Sequence, residues 1–437
     1  MRGMDEYFEI SARGSTVRRE IVAGLTSFVA ISYILVVNAK ILAPVFEGDV
    51  NVVGPKDARS QVIPTAIPSG LTSILLGILS RKPIIAAPGL GLSSYITYSL
   101  VLANVLTTTE AFTACLLSGV ICTVSAMSGL SNGALSRLVP SDVKKGIIVG
   151  MGLLIAMIGL SSSHVISKSD QPDVIIELTK TFTPEVVLAL FGILFVATML
   201  QFQIQGGLLV GMLVTTAFSW FLLHSQPPTS LFSFPMIHFE SLGKVIDLTS
   251  FSMKMIPAII SFTAVSIFDV GGVMYGFNNM LEVDGSDDNT PVFVGTSIGT
   301  IISSLFGGSP IIVAIEGAAG ISSGGKTGLT SVICGICFFL SIFLSPVLVA
   351  IPSAATGPVL VCIGGLMIGE IRTIDFDRFE KFFPSFLTMI AMPFTYSISN
   401  GIWAGFIGAS YFAVTEKARS MLQKRGKYVA IIDEDGP

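Results

Sequence analysis

The stretch that decides the fold is Ser309 to Gly328, S-P-I-I-V-A-I-E-G-A-A-G-I-S-S-G-G-K-T-G, which lies between two strongly apolar segments. Pro310 opens a β-branched, apolar run that leads to the carboxylate of Glu316, and a glycine-rich half-turn follows. Extended backbone and a charged side chain are both costly at membrane depth, where they are tolerated only beside protein or a cavity. A short strand, an acid and a half-helix in this order are typical of the binding site of a transporter.

The composition indicates an integral membrane protein. Only 12% of the 437 residues are charged and 51% are hydrophobic, whereas a soluble protein carries about 25% charged residues. At roughly 20 apolar residues per span, the chain has room for about a dozen or more crossings. No basic patch accompanies the net charge of −4, so we expect a lipid bilayer and no nucleic acid as a partner.

The apolar segments predict about fourteen crossings, several of them short or broken by glycine. They are 21–42, 62–79, 84–105, 109–130, 144–162, 183–200 and 204–223 in the first half, and 251–275, 291–307, 310–324, 327–350, 353–371, 383–397 and 399–416 in the second. The resulting division is a cytoplasmic segment 1–20, a first seven-span repeat 21–223, an inter-repeat loop 224–249, a second seven-span repeat 250–416 and a cytoplasmic tail 417–437.

Basic residues predict the orientation. If the N-terminus is cytoplasmic, 18 lysines and arginines lie on the inner side of the membrane and 7 on the outer side. This bias places both termini in the cytoplasm and favours an even number of spans. All three histidines (His164, His224 and His238) then fall in outer loops, which argues against a histidine proton relay within the membrane.

The two halves of the chain share one motif. K-P-I-I-A-A-P-G-L-G at 82–91 resembles S-P-I-I-V-A-I-E-G at 309–317 in its Pro-Ile-Ile, its small residues and its glycine-rich turn. Each motif lies in the third crossing of its half, and the two crossings run in opposite directions. Paired broken segments of this kind indicate an inverted repeat with a transport site, and chance similarity between glycine-rich segments is the alternative.

Two carboxylates stand out within the predicted spans, Glu316 and Asp269, the latter in S-I-F-D-V-G-G. Neither has a lysine or arginine at helical spacing, and we expect no basic residue at the site. Such an acid can take up a proton, so both are candidates for proton coupling and for hydrogen bonding a polar substrate. The alternative role is capping the N-termini of half-helices, and the two roles are compatible.

Neutral candidates accompany the two acids. Gly89, in the motif at 87–95, and Gly317 allow close approach of the backbone to a ligand, and the half-helix after each exposes N–H donors. Ser93 adds a hydroxyl. Phe268 is a candidate to stack on a flat ring, although aromatic side chains in spans more often serve packing.

We interpret no motif in the sequence as an enzyme signature. G-T-S-I-G at 295–299 and G-I-S-S-G-G-K-T at 320–327 match the letters of G-x-S-x-G and of a phosphate loop, but both lie in or beside predicted apolar spans, so Lys326 is interpreted as a cytoplasmic anchor. The sequence has no zinc spacing. The acidic run at 282–288 does not have calcium-loop spacing, and Cys334 and Cys337 are interpreted as packing residues. We predict no catalysis, no metal and no cofactor, with the proton gradient as the driving force.

Four stretches resemble the AzgA-type purine permeases of the nucleobase–cation symporter fold. They are R-R-E-I-V-A-G-L-T-S-F-V-A-I-S-Y-I-L-V-V-N-A-K-I-L (18–42), A-P-G-L-G-L-S-S-Y (87–95), I-E-G-A-A-G-I-S-S-G-G-K-T-G-L-T (315–330) and L-T-M-I-A-M-P-F-T-Y-S-I-S-N-G-I (387–402). The resemblance implies an all-α polytopic fold of two inverted seven-span repeats, with two strand and half-helix segments at the site. It also implies a core domain, about 21–130 plus 251–350, and a gate domain, about 144–223 plus 353–416.

The function that this resemblance implies is proton-coupled uptake of hypoxanthine, guanine or adenine across the plasma membrane by alternating access. Glu316 and Asp269 match the family's substrate-binding carboxylates. The chain departs from the family at Ser93, Gly317 and Val270, where asparagine, serine and threonine are usual. Xanthine, uracil and an inorganic anion therefore stay open as substrates, and a channel-like protein or a non-transporting sensor is the rival class. The oligomeric state, a homo-oligomer included, is also open.

Overall fold

The computed structural model describes residues 2–47, 62–128, 141–169, 176–223, 227–228, 230–234, 243–281 and 289–434. Within these residues, eight helical stretches are long and apolar enough to cross a membrane, and two further apolar helices are shorter. The number of fourteen crossings stays a prediction. The acidic run at 282–288 and two of the histidines, His224 and His238, lie outside the described residues.

The helices follow the predicted apolar segments closely, and the first span is split in two. The first half contains α1 (Arg2–Phe8), α2 (Val17–Ile31), α3 (Ile34–Glu47), α4 (Ile63–Ser80), α5 (Leu90–Ser94), α6 (Thr108–Met127), α7 (Ser141–Ser162), α8 (Pro184–Gln201) and α9 (Gly207–Leu222). The second half contains α10 (Ile256–Met280), α11 (Thr290–Leu305), α12 (Ala318–Ser322), α13 (Gly328–Ser341), α14 (Ser345–Val349), α15 (Ser353–Ile368), α16 (Phe379–Thr395) and α17 (Ile398–Glu434). The last helix continues through most of the predicted tail.

Short strands replace helix in the third crossing of each half. The four strands of the described residues are β1 (Ala86–Pro88), β2 (Ile166–Lys168), β3 (Ile176–Leu178) and β4 (Ile311–Val313). β1 and β4 pair antiparallel, with Ala86 opposite Val313, whereas β2 and β3 form a hairpin that was not predicted. The β1–β4 pairing satisfies backbone groups that lipid cannot bond. The predicted strand and half-helix in each half are thereby confirmed.

The helices pack in two groups, and the contacts repeat between the halves. In one group α13 packs on α2 and α4, as α6 packs on α10 and α11. In the other group α7 packs on α16 and α17, as α15 packs on α8 and α9. In each group, one helix packs on two helices of the other half of the chain. The equivalent helix of that other half makes the same two contacts in the opposite direction. This is the contact pattern of an inverted repeat.

Glycines set the distance between the most closely packed helices. A Cβ atom on Gly328 of α13 would lie 1.9 Å from the carbonyl oxygen of Gly77 on α4. One on Gly364 of α15 would lie 2.4 Å from the carbonyl oxygen of Gly152 on α7. No side chain fits at these distances, so the helix backbones meet directly. Small residues at such crossings are how membrane helices associate, because lipid leaves no hydrophobic driving force between them.

The first span departs from the single helix that its apolar sequence predicts. It is interrupted at Ser32 and Tyr33, between α2 and α3. The hydroxyl of Ser32 donates to the carbonyl oxygen of Val29 over 3.1 Å, and such bonds of serine to the preceding turn bend helices. Another crossing, the third of the first half, is also irregular: after α5 it continues as the π-helix Tyr95–Val101. This form occurs mostly at functional sites.

Candidate substrate-binding site

Glu316 lies where the second-half strand passes into its half-helix. After β4, residues 315–317 form one 3₁₀ turn before α12 begins. The N–H of Gly317 donates to the carbonyl oxygen of Ala314 over 3.0 Å, and the N–H of Ala314 donates to that of Ile85 over 2.8 Å. The backbone of the turn is thus fixed within the protein, and the half-buried carboxylate of Glu316 is carried on it.

The hydroxyl of Tyr33 donates a hydrogen bond to Oε1 of Glu316. Tyr33 is 1% exposed and belongs to the break between α2 and α3. Among the described residues, no other side chain donates to this carboxylate. Sequence patterns do not predict the contact, because the two residues lie 283 positions apart. Ser32, which precedes Tyr33, is the sequence feature that indicates a break in the helix at this point.

Asp269 and Phe268 lie near the middle of α10, and both are partly buried. Lys144 of α7 places its Nζ 5.2 Å from the centroid of the Phe268 ring, which is a cation–π contact between the two helix groups. The expectation that no basic residue lies at the site is therefore wrong. Lys144 could not be predicted in this way, because helical spacing around Asp269 identifies only residues of the same helix.

The helix that carries Asp269 also contacts the turn that carries Glu316. A Cβ atom on Gly317 would lie 3.4 Å from the ring of Phe277, which follows Asp269 by about two turns of α10. This is an ordinary van der Waals distance, so a Cβ atom is tolerated at position 317. The helix of Asp269 therefore packs on the turn of Glu316 through Phe277, and among the described residues no hydrogen bond joins the two carboxylates.

The candidate residues of the first half, Gly89 and Ser93, follow β1, the strand that pairs with β4. The N–H of Gly89 donates to the carbonyl oxygen of Pro310 over 3.1 Å, which continues the strand pairing. Ser93 is fully buried, with its Oγ 2.5 Å from Oδ1 of Asn38 and 2.7 Å from Oγ of Ser309. A serine hydroxyl has one hydrogen to donate and two lone pairs, so these contacts occupy it within the protein. In this structure Ser93 positions the half-helix.

A third carboxylate, absent from the predicted site, holds the end of the broken segment. Glu20 is fully buried at the start of α2. It accepts hydrogen bonds from the N–H groups of Lys326 (3.0 Å) and Thr327 (3.2 Å). The hydroxyls of Ser15 and Thr330 each donate to it over 2.6 Å. The G-G-K-T turn is thus hydrogen-bonded to α2 through Glu20, a contact that the sequence did not predict.

The described residues offer no metal site: no three His, Cys, Asp or Glu side chains among them are arranged to hold an ion. The five cysteines are free thiols, and Cys334 is fully buried. The candidate side chains are the carboxylates of Glu316 and Asp269, which can accept hydrogen bonds, and the ring of Phe268, which Lys144 contacts.

Comparison with known sequences gives the family. Residues 18–403 match the model of the permease family labelled Xan_ur_permease. The chain is 31% identical to the putative permease MJ0326 of Methanocaldococcus jannaschii, over 93% of this chain and 92% of that one. It is 30% identical to the guanine/hypoxanthine permease PbuO of Bacillus subtilis, over 92% of each chain. It is 32% identical to the nucleobase transporter PlAzg2 of Paenibacillus larvae, over 90% of this chain and 77% of that one.

Solved structures share the fold. The transmembrane domain of the cyanobacterial bicarbonate transporter BicA superposes with a TM-score of 0.61 at 17% identity, covering 90% of this chain and 97% of that one. The murine anion transporter Slc26a9 gives a TM-score of 0.63 at 13% identity, covering 91% of this chain and 68% of that one. At these identities the likeness concerns the fold alone. The sequence matches over most of its length show that the chain belongs to the Xan_ur_permease family of integral membrane permeases, as an AzgA-type member.

Proposed function

We propose that the chain is a secondary transporter of purine nucleobases that is driven by the proton gradient. Relatives named for guanine, hypoxanthine and nucleobase transport are about 30% identical to it over most of its length. The motifs at 18–42, 87–95 and 315–330 resemble those of purine permeases and support the same class of substrate. In this proposal the protein moves its substrate without changing it chemically.

The observation that carries the proposal is the carboxylate of Glu316 at the junction of strand and half-helix. A carboxylate accepts hydrogen bonds, and purine bases present N–H groups along their edges. An acid at membrane depth is also typical of proton relays in transporters. In the proposal Glu316 and Asp269 hold the base, one of them carries the coupled proton, Phe268 stacks on the ring, and the backbone at Gly89 and Gly317 comes close to it.

An inorganic anion, the substrate type named for the structural neighbours, fits these residues less well. The carboxylates of Glu316 and Asp269 would repel it whenever they are ionised. The lysine that reaches the region, Lys144, lies over the Phe268 ring. A neutral base with N–H donors is the ligand that two carboxylates favour.

We also propose that the two helix groups are the core and the gate of an alternating-access transporter. The core would comprise α2 to α6 and α10 to α13, and the gate α7 to α9 and α15 to α17. Movement of one group against the other would open the site to each side in turn. Met151 of α7, whose sulfur would lie 3.0 Å from a Cβ on Gly91, belongs to the contact that would slide. The bias of basic residues supports cytoplasmic termini, and a location in the plasma membrane is part of the same proposal.

Uptake of radiolabelled hypoxanthine, guanine and adenine into cells without purine carriers tests the proposal. For the wild type we expect saturable uptake that rises several-fold from neutral to acidic outside pH. Glu316→Gln keeps the shape of the side chain and removes its charge. We expect it to lose uptake at least about tenfold at equal membrane abundance, because a hydrogen bond to a charged group contributes about 1.5–3 kcal/mol.

The matched control for that experiment is Glu370→Gln, at an exposed acid beyond α15, which should transport like the wild type. A well-expressed wild type that moves none of the three bases would refute the purine assignment. Uptake that is equal at both pH values, yet lost in Glu316→Gln, would refute proton coupling and leave the binding role of Glu316 standing.

A further inference from the structure

A turn of the proposed gate contacts both core helices that lead to Glu316. The turn is formed by residues 202–206, which join α8 to α9. The side-chain amide of Gln205 donates a hydrogen bond to Oγ of Ser323, directly after α12, over 3.3 Å. A Cβ atom on Gly206 would lie 2.6 Å from Cγ1 of Val29, so the turn also packs tightly on α2.

These contacts place the turn beside the bond between Tyr33 and Glu316. Val29 of α2 precedes Tyr33 by four residues, about one turn of helix. Ser323 follows Glu316 by seven residues, at the far end of α12. The turn therefore meets both helices on the side of Lys326, which is cytoplasmic in the proposed orientation.

Hydrogen bonds within the turn give it a fixed shape. The N–H of Ile204 donates to the carbonyl oxygen of Met199 over 3.1 Å, and the N–H of Gly207 donates to that of Ile204 over 2.9 Å. Gly206 has a φ of +74°, a left-handed conformation that glycine adopts without strain. The turn is thus joined firmly to α8 and α9 and would move with them.

The bond between Gln205 and Ser323 is suited to breaking and forming again. Gln205 is exposed and neither side chain is charged, so water competes for the same groups and the net stabilisation is small. The hydroxyl of Ser323 donates to the carbonyl oxygen of Ala319 over 2.7 Å and accepts from the amide with a lone pair. Release of Gln205 therefore leaves no buried donor without a partner.

We propose that residues 202–206 form an inner latch of the transporter. Seated on α2 and α12, as in this structure, the inner latch closes the path from Glu316 to the cytoplasm, and it lifts away when the substrate is released. Gln205 is a positioning residue in this account, because it holds the latch and does not touch the base. The inference rests on the proposed function and adds the contact that controls release.

Reversible cross-linking of the inner latch to α12 tests the inference. Gln205→Cys and Ser323→Cys are combined, and a short bis-methanethiosulfonate reagent replaces the length of the glutamine side chain. We expect cross-linking to lower hypoxanthine uptake at least about tenfold, because the inward-open state is no longer populated, and dithiothreitol to restore it. Equilibrium binding of hypoxanthine to the purified protein should change less than about twofold, because the outer path stays open.

The matched control is the pair Asp375→Cys and Lys381→Cys. The native side chains form an exposed ion pair, with Nζ 3.7 Å from Oδ2, and both belong to the gate group. The same reagent should therefore leave uptake unchanged in this variant. Single variants treated in the same way report any reaction with the five native cysteines.

Complete cross-linking with unchanged uptake would overturn the inference. Failure of the pair to cross-link, although each cysteine reacts singly, would overturn it as well. Loss of binding together with uptake would place the effect in the site itself and also count against the latch. A wild type that takes up no base refutes the proposed function, whereas full uptake by the cross-linked protein refutes only the latch.

A second measurement decides if the double variant loses uptake before the reagent is added. Val29→Cys is labelled from the cytoplasmic side of inside-out vesicles, with and without Gln205→Ala. Loss of the glutamine should free the turn from α12, uncover position 29 more often and raise the labelling rate several-fold. Equal rates would overturn the inference.

Discussion

At the scale of single residues, two carboxylates that meet the first span differ in how fully they are bonded. Glu20 accepts four hydrogen bonds from the protein, two from backbone N–H groups and two from hydroxyls. Among the described side chains alone, two hydroxyls donate to Glu20 and one, that of Tyr33, donates to Glu316. A carboxylate has about four acceptor lone pairs, so Glu20 is fully bonded within the protein, whereas Glu316 keeps acceptor positions for a ligand. The sequence does not draw this distinction, since Glu20 stands in an R-R-E run that is typical of a membrane boundary.

Glu20→Ala is expected to destabilise the protein strongly. It would leave four buried donors without their acceptor, and breaking a buried charged network in this way costs about 3–5 kcal/mol. Thermal unfolding of the purified protein in detergent should therefore begin several degrees lower than in the wild type. Glu6→Ala, at an exposed acid of α1, is the control and should unfold like the wild type. Equal unfolding temperatures for both variants would contradict the structural role of Glu20.

At the scale of elements, the sequence predicts the two broken segments and misses the break in the first span. Pro-Ile-Ile followed by small residues and glycines marks each broken segment locally. The break at Ser32 and Tyr33 lies within a continuous apolar run, and its tyrosine bonds a residue far away in sequence. Local sequence patterns therefore predict the two broken segments, whose proline and glycines are neighbours in sequence. They do not predict the break in the first span, because its tyrosine makes a contact that is distant in sequence. The same holds for Ser93, whose partners belong to other segments.

Neighbouring glycines of α15 test the direct contact between helix backbones. Gly364→Ala is expected to destabilise the protein, because its Cβ would lie 2.4 Å from the carbonyl oxygen of Gly152. Gly365→Ala, one residue further on the same helix, meets no atom within 4 Å and should be neutral or slightly stabilising, as alanine favours helix over glycine by about 1 kcal/mol. Thermal unfolding of the pair measures the difference. Similar behaviour of the two variants would argue against the close crossing of α7 and α15.

At the scale of the whole molecule, the repeat is predictable and the packing is not. The echo between 82–91 and 309–317 predicts two inverted halves, and the structure shows the equivalent helix contacts in each. Which faces meet is hidden, because a helix that is apolar all round does not reveal its packing side. Lys144 over Phe268 is a consequence of that packing, and it links the two helix groups beside the proposed site.

The measurement that tests the central claim most directly is proton movement with purine in proteoliposomes of the purified protein. A pH-sensitive dye is enclosed in the lumen, and hypoxanthine is added outside without any imposed gradient. With the wild-type protein the lumen should become acidic as hypoxanthine enters. With Glu316→Gln we expect neither entry of hypoxanthine nor acidification of the lumen. Entry of hypoxanthine with no change in the dye signal would contradict proton coupling. Absence of both in active, correctly reconstituted wild type would contradict the account that Glu316 binds a purine and couples it to the proton gradient.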